Sequence, residues 1–218
     1  LLYMMKEGIA EKLIEFVEQG GTLVTTYMTG LVDENDRCVF GPYPGKLREL
    51  LGIWIEEIDA LLPEEQNSIE MLADTKPVGM ENSYRSNFLC DVIHLEGAKA
   101  LAVHGSDFYA GQPCLTVQEY GKGKAYHIGS NPEEKFVVDF FGTLAWQHGL
   151  TPYFAGDKGV EVGAREGEQG KTYFVINHNQ HIANVDLKDK SYTCLLTDKK
   201  YSGAVALEAY DVLVLSED

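Results

Sequence analysis

Apolar residues recur at helical spacing in two parts of the chain. Ile9, Leu13, Phe16 and Val17 fall at i, i+4, i+7 and i+8, while Glu7, Glu11, Glu15 and Glu18 lie largely elsewhere. That spacing predicts a helix over 5–19 with one buried face. Phe136, Val137, Phe140, Phe141 and Leu144 form a second stripe and predict a helix over 132–148. Asn131 is its expected N-cap, Pro132 its first residue, Glu133 and Glu134 its dipole complement, and Gly149 its stop.

Strand-like runs surround these helices. Gly20-Gly21 ends the first helix, and 22–27 is β-branched and apolar without a charge, as a strand covered on both faces would be. After Gly30 comes the polar run Asp33-Glu34-Asn35-Asp36-Arg37, then a loop punctuated by Pro42 and Pro44. Pro44 or Gly45 opens a further helix. The loop leaves the carboxyl end of the strand, where open α/β sheets place their working surface. Residues 53–59 predict a short strand ended by Leu61-Leu62-Pro63, and 64–68 a polar loop. The stretch 71–87 has mixed pattern. Residues 88–95 predict a strand at a sheet edge, and 100–103 another. Residues 114–120 and 124–128 flank Gly121-Lys122-Gly123 as a β-hairpin.

Texture changes after 151–159, a linker holding Pro152 and two glycines. Short strands are expected at 160–164, 172–177, 182–187, 192–196, 204–207 and 212–215. Turn residues separate them at Glu166-Gly167, 177–180, 188–190 and Ser202-Gly203. The expectation is an α/β domain over 1–150 and a small antiparallel β-sandwich or barrel over 160–218.

Composition narrows the function. The 218 residues include 18 basic and 34 acidic side chains, a formal charge of −16. Such a surface repels phosphate backbones, which argues against nucleic acid as a partner. No apolar run approaches the ~20 residues that a membrane span needs. Cys38, Cys90, Cys114 and Cys194 form no CxxC pair, and are expected as reduced thiols in a cytoplasmic protein. The chain opens Leu-Leu-Tyr and runs almost directly into a helix, so the strand that normally precedes such a helix is absent. A cut piece of a longer polypeptide is expected.

Chemistry is sparse. The acid pairs Glu56-Glu57, Glu64-Glu65 and Glu133-Glu134 are neighbours whose side chains diverge, not a pair facing across a scissile bond. None of the cysteines has a flanking glycine to make a strained nucleophile turn, although His94, His104, His127 and His148 are potential bases. His178 and His181 sit in a polar turn without further metal ligands at hand. The Gly121-Lys122-Gly123 turn is followed by a strand and offers phosphate no helix N-terminus. No cofactor is indicated.

Several motifs in order resemble one family. They are Gly20-Gly21-Thr22-Leu23-Val24, Val32-Asp33-Glu34-Asn35-Asp36, Gly41-Pro42-Tyr43-Pro44-Gly45-Lys46-Leu47-Arg48 and Leu51-Gly52. Further on come Ile55-Glu56-Glu57-Ile58-Asp59, Tyr109-Ala110-Gly111-Gln112-Pro113, Tyr120 to Gly129 and Phe174-Val175-Ile176-Asn177-His178. Together they are similar to the trimerisation and C-terminal domains of the glycoside hydrolase family 42 β-galactosidases, over nearly the whole chain.

That resemblance implies an amidotransferase-like (flavodoxin-like) open sheet with helices on both faces, lacking the amidotransferase nucleophile and, here, its first strand. It also implies an N-terminal (β/α)8 barrel, absent from this chain, that carries two catalytic glutamates and hydrolyses terminal β-D-galactosides with retention. No catalytic, substrate-binding or metal residue transfers to any position here. The expected role is non-catalytic: holding three barrels as a homotrimer. The loop 27–43 mixes aromatics with charges, as an interface with an apolar centre and polar rim does. Tyr27, Asp33, Asn35, Arg37, Phe40 and Tyr43 are its expected contacts. The alternatives are an independent amidotransferase-like cysteine enzyme, or a carbohydrate-binding module using Tyr153, Phe154, Tyr192, Tyr201 and Tyr210.

Overall fold

Short connections decide the topology of the larger part of the molecule. A computed structural model describes residues 2–41, 43–168 and 170–218. Pro42, expected as loop punctuation, lies outside the described residues. The chain divides into two compact units, Leu1–Ala145 and Trp146–Asp218.

In the first unit the elements run α1 (Ile9–Glu18), β1 (Thr22–Thr26), a 3-10 turn (Gly45–Leu47) leading into α2 (Arg48–Leu51), β2 (Ile53–Ala60), β3 (Asn67–Met71), β4 (Ser83–Leu95), β5 (Lys99–His104), β6 (Pro113–Tyr120), β7 (Gly123–Ile128), β8 (Ser130–Pro132) and α3 (Glu134–Gln147). Among the described residues they build an eight-stranded sheet ordered β1-β7-β6-β5-β3-β4-β2, with β8 on β4. The β1–β7 ladder is parallel, and the other ladders are antiparallel. This corrects the flavodoxin-like expectation of an open parallel sheet. Parallel neighbours need crossovers of a dozen or more residues. From β2 onward most links are too short for that, down to the two residues Gly121-Lys122 between β6 and β7.

Helices do cover both faces. Ala125 of β7 packs with Ala10, Val17, Leu50 and Leu51 beneath α1 and α2. Its neighbour Tyr126 packs with Phe136 and Phe140 of α3. Successive strand residues point to opposite faces, so β7 serves both layers.

Several boundaries differ from expectation. The first helix starts at Ile9 because Gly8 takes φ +80. Residues before it are extended instead, with Met4 bridged in parallel to Val32. β3 begins inside the expected loop 64–68. β4 is not an edge strand: it is thirteen residues long and pairs with β2, β3 and β8. Asn131 and Pro132 belong to β8, so neither caps nor opens α3. Gly149 does follow α3, at φ +67.

The second unit holds β9 (Ala155–Gly156), β10 (Val160–Gly167), β11 (Gly170–Asn177), β12 (Ala183–Cys194), β13 (Lys200–Leu207) and β14 (Val212–Glu217). The ladders are antiparallel, ordered β10-β11-β14-β12-β13 with β9 on β12. Among the described residues they make one sheet, not the two that a sandwich requires. The runs expected as 182–187 and 192–196 are one strand, β12, irregular between Asp186 and Ser191, where Lys188 takes φ +61. Glu166-Gly167 and Ser202-Gly203, expected as turns, lie inside β10 and β13. Phe154, within the expected linker, is buried in this unit's core against Tyr173 and Tyr192.

Candidate functional site

The loop after β1 is a built hairpin. Asp33 organises it: one carboxylate oxygen accepts the backbone N–H of Asn35 (2.9 Å) and of Arg37 (3.1 Å). The other takes Arg37 Nε (2.9 Å) and Nη2 (2.8 Å). The Arg37 backbone N–H, with its guanidinium and the Asn35 N–H, holds the Asp33 carboxyl below the ordinary range. Val32 bridges Cys38, and Val39 N–H donates to Leu31 O (3.1 Å). At the base, Met5 N–H donates to Val32 O (2.8 Å) and Gly30 N–H to Leu2 O (2.7 Å).

The hairpin presents Phe40, whose side chain is 100% exposed, beside the exposed Val39. Gly41 then turns the chain at φ +105, a conformation that favours glycine. Tyr43 goes inward. Its carbonyl accepts Ile55 N–H (2.9 Å), and its buried phenol has no hydrogen-bond partner among the described residues. Burial, then the charge of Asp91, pushes that phenol far up. Of the six expected contact residues, Asp33, Asn35, Arg37 and Phe40 thus stand together on the hairpin. Tyr43 anchors it. Tyr27 is placed apart, its hydroxyl donating to Asn131 Oδ1 (3.2 Å) and its ring edge-on to Phe88.

Beside Phe40 lies an open groove of about 510 Å³, lined by Gly41, Tyr43, Arg48, Trp54, Ile55 and Glu56. Its wall is fixed. Trp54 stacks on His94 (centroids 4.6 Å, 24° between planes), its partner across the β2–β4 ladder. His94 Nε2 lies 2.6 Å from Glu56 Oε2. The Arg48 guanidinium sits 6.0 Å from the Trp54 centroid and pairs with Glu96. Sequence reasoning missed this wall because Trp54 and His94 meet only through register. The one available signal was a tryptophan in a strand next to charged residues.

A second arrangement is sealed inside. The parallel register sets Thr25 beside His127, and the antiparallel one sets Thr116 on its other side. The Thr25 hydroxyl donates to Tyr126 O (3.0 Å), leaving its lone pair for His127 Nδ1–H (2.9 Å). His127 Nε2 then faces Asp91 Oδ2 at 2.9 Å across a single proton. Both side chains are wholly buried, and burial pushes the Asp91 carboxyl up. His104 Nε2–H donates to the Asp91 carbonyl (3.1 Å). This set has the residue types of a hydrolytic triad, but with Thr25 only 4% exposed there is no path for a substrate.

The other chemical candidates are accounted for structurally. Cys90 and Cys114 sit in strand interiors, where burial raises the Cys90 thiol to about 11 and Cys114 also well up. Cys194 is buried and Cys38 exposed; all four are unbridged. Glu133 binds Arg85, Glu65 takes Leu62 N–H, and His178 lies 2.9 Å from Glu161. No group of three or more metal-ligating side chains occurs among the described residues. No helix among them is long and apolar enough to cross a membrane. Phe154 and Tyr192 are core, and Tyr201 packs against that core.

Comparison with known proteins covers the whole chain. The family described as β-galactosidase trimerisation domain matches residues 1–151, and that described as β-galactosidase C-terminal domain matches 159–217. A β-galactosidase of Planococcus sp. strain L4 is 48% identical over all of this chain and 32% of its own length. One from Clostridium perfringens is 39% identical over 99% of this chain and 31% of its own. The crystal structure of a β-galactosidase from Bacillus circulans sp. alkalophilus superposes with TM-score 0.89 at 41% identity, over 100% of this chain and 32% of that one. The Rahnella sp. R3 enzyme gives 0.85 at 38% identity, over 100% and 31%. The chain thus spans about a third of the length of the curated relatives it matches.

Proposed function

Because the chain belongs to the β-galactosidase trimerisation-domain family, with the family's C-terminal domain following, we propose that it is the assembly portion of a β-galactosidase. On this reading the first unit holds three copies together, and the β domain that follows, which takes in Phe154 and β9 of the expected 151–159 linker, is accessory. Hydrolysis of terminal β-D-galactosides belongs to a barrel elsewhere in the same polypeptide. The hairpin carrying Asp33, Asn35, Arg37 and Phe40 is the contact surface, anchored by Tyr43, with Tyr27 a further contact placed apart from it. Buried unbridged thiols and the acidic surface suit a reducing cytoplasm.

The observation that carries this reading is the end-to-end match of both units to two consecutive parts of one family. Sedimentation of the polypeptide that contains this chain tests it, with the mass of three copies as the expected result. A monomer at micromolar concentration overturns it. The 218-residue chain alone should not cleave a chromogenic β-galactoside. Turnover abolished by changing one of its own side chains would move the chemistry here.

A further inference from the structure

We propose that Thr25, His127 and Asp91 form a buried proton switch. When the Asp91–His127 pair loses one proton, the remaining imidazole proton sits on Nε2 instead of Nδ1, and the Thr25 hydroxyl turns from the Tyr126 carbonyl to Nδ1. The switch lies wholly inside the first unit, so it stands or falls apart from the assembly role proposed above.

The Thr25 hydroxyl has two acceptors within reach. Its oxygen is 3.0 Å from Tyr126 O and 2.9 Å from His127 Nδ1. A hydroxyl has one proton to give, lone pairs to accept with, and a rotor that chooses between them. A neutral imidazole likewise carries its proton on one nitrogen or the other. The β1–β7 register holds Thr25 beside His127, so no heavy atom needs to move for the exchange.

In the protonated state Thr25 donates to Tyr126 O and accepts Nδ1–H, and one proton bridges Nε2 and Asp91 Oδ2 at 2.9 Å. The three side chains then share three protons and carry no net charge. Taking the bridging proton away without rearrangement would set two lone pairs face to face, where solvent does not reach. The rearranged set avoids this. Nε2 keeps a proton for Asp91 Oδ2, and Thr25 points its own at the bare Nδ1. Two protons remain, and the third passes to hydroxide or a buffer base. The contact given up is the one from Thr25 to Tyr126 O.

The surroundings supply no other relief for the charge. Asp91 Oδ1 has no partner among the described residues, so Nε2–H is the donor that an ionised Asp91 depends on. On β5, His104 donates to the Asp91 carbonyl, and burial pushes its pKa down. Burial also pushes the Tyr43 phenol far up and the neighbouring Cys90 thiol to about 11, so both keep their protons. Asp59 of β2 is engaged by the Tyr109 hydroxyl (2.8 Å). On the face that His127 shares with Ala125, α1 and α2 bring the apolar Ala10, Val17, Leu50 and Leu51.

Neutron diffraction from deuterium-exchanged crystals of the unaltered full polypeptide tests the switch, at mildly acidic pD and at the highest pD the crystals withstand. At the acidic end deuterons should occupy His127 Nδ1 and the space between Nε2 and Asp91 Oδ2, with the Thr25 deuteron toward Tyr126 O. At the alkaline end Nδ1 should have lost its deuteron, Nε2 should hold one, and the Thr25 deuteron should point to Nδ1. A deuteron on Nδ1 at both ends, or a Thr25 hydroxyl that keeps one direction, overturns the inference.

Discussion

His127 Nε2 lies 2.9 Å from Asp91 Oδ2 with neither side chain reaching solvent. The pair joins β7 to β4, strands that are not neighbours in the sheet. Removing one partner of such a pair leaves a buried polar group uncompensated, typically at about 3–5 kcal/mol. Asp91→Ala and His127→Ala should each destabilise the first unit on that scale. The double variant should cost less than the sum. Urea unfolding followed by Trp54 fluorescence in a Trp146→Phe chain measures all three.

The same carboxyl sets a pH dependence. Burial raises its pKa, so the folded chain holds a proton there that the unfolded chain releases. The resulting stability is complete below the ordinary carboxylate value of about 3.9 and declines as pH rises through the raised value. The stability margin of the native chain over Asp91→Asn should therefore narrow as the pH rises from about 4 through that raised value. Urea midpoints across that range give the sign.

Thiol reactivity should divide by exposure. Cys38 is exposed, whereas Cys90, Cys114 and Cys194 are buried, with burial pushing the first two thiols up. Ellman's reagent at neutral pH should titrate Cys38 rapidly and the other three only in denaturant.

Asp33→Ala removes the acceptor shared by the Asn35 and Arg37 N–H groups and the Arg37 guanidinium. The hairpin should loosen while the sheet stays intact. Limited trypsin digestion should cut after Arg37 severalfold faster, with thermal unfolding little changed.

Gly123→Ala should cost about 1–3 kcal/mol, the usual range for overpacking. A Cβ there would meet Gly21 O at 2.2 Å and Val17 O at 2.3 Å, both backbone atoms that cannot swing aside. Thermal unfolding of the variant checks it.

The sequence was informative where pattern and structure share a period. The α3 helix, the β1 run and the hairpin around Gly121-Lys122 stand where local chemistry placed them, although Val137 and Phe141 of the α3 stripe are exposed and only Phe136, Phe140 and Leu144 are core. β3 and the first half of β4 were illegible because their buried positions include Asn67 and Ser86, polar residues that look like loop. The flavodoxin-like expectation came with the family resemblance, and only strand pairing revealed the mostly antiparallel order. Of the candidate surface, the Asp33–Phe40 hairpin was legible from its charges and ring. Trp54 with His94, and Thr25 with His127 and Asp91, were not, since each set is assembled by register across distant strands.

Ala125 faces one helical layer and Tyr126 the other, which makes the length of the Gly121-Lys122 turn a matter of counting. One inserted residue there would invert every side chain of β7, driving a tyrosine into the space cut for an alanine and hollowing the opposite layer. It would also turn His127 away from both Thr25 and Asp91. A two-residue corner therefore keeps the two halves of this unit from exchanging their contents.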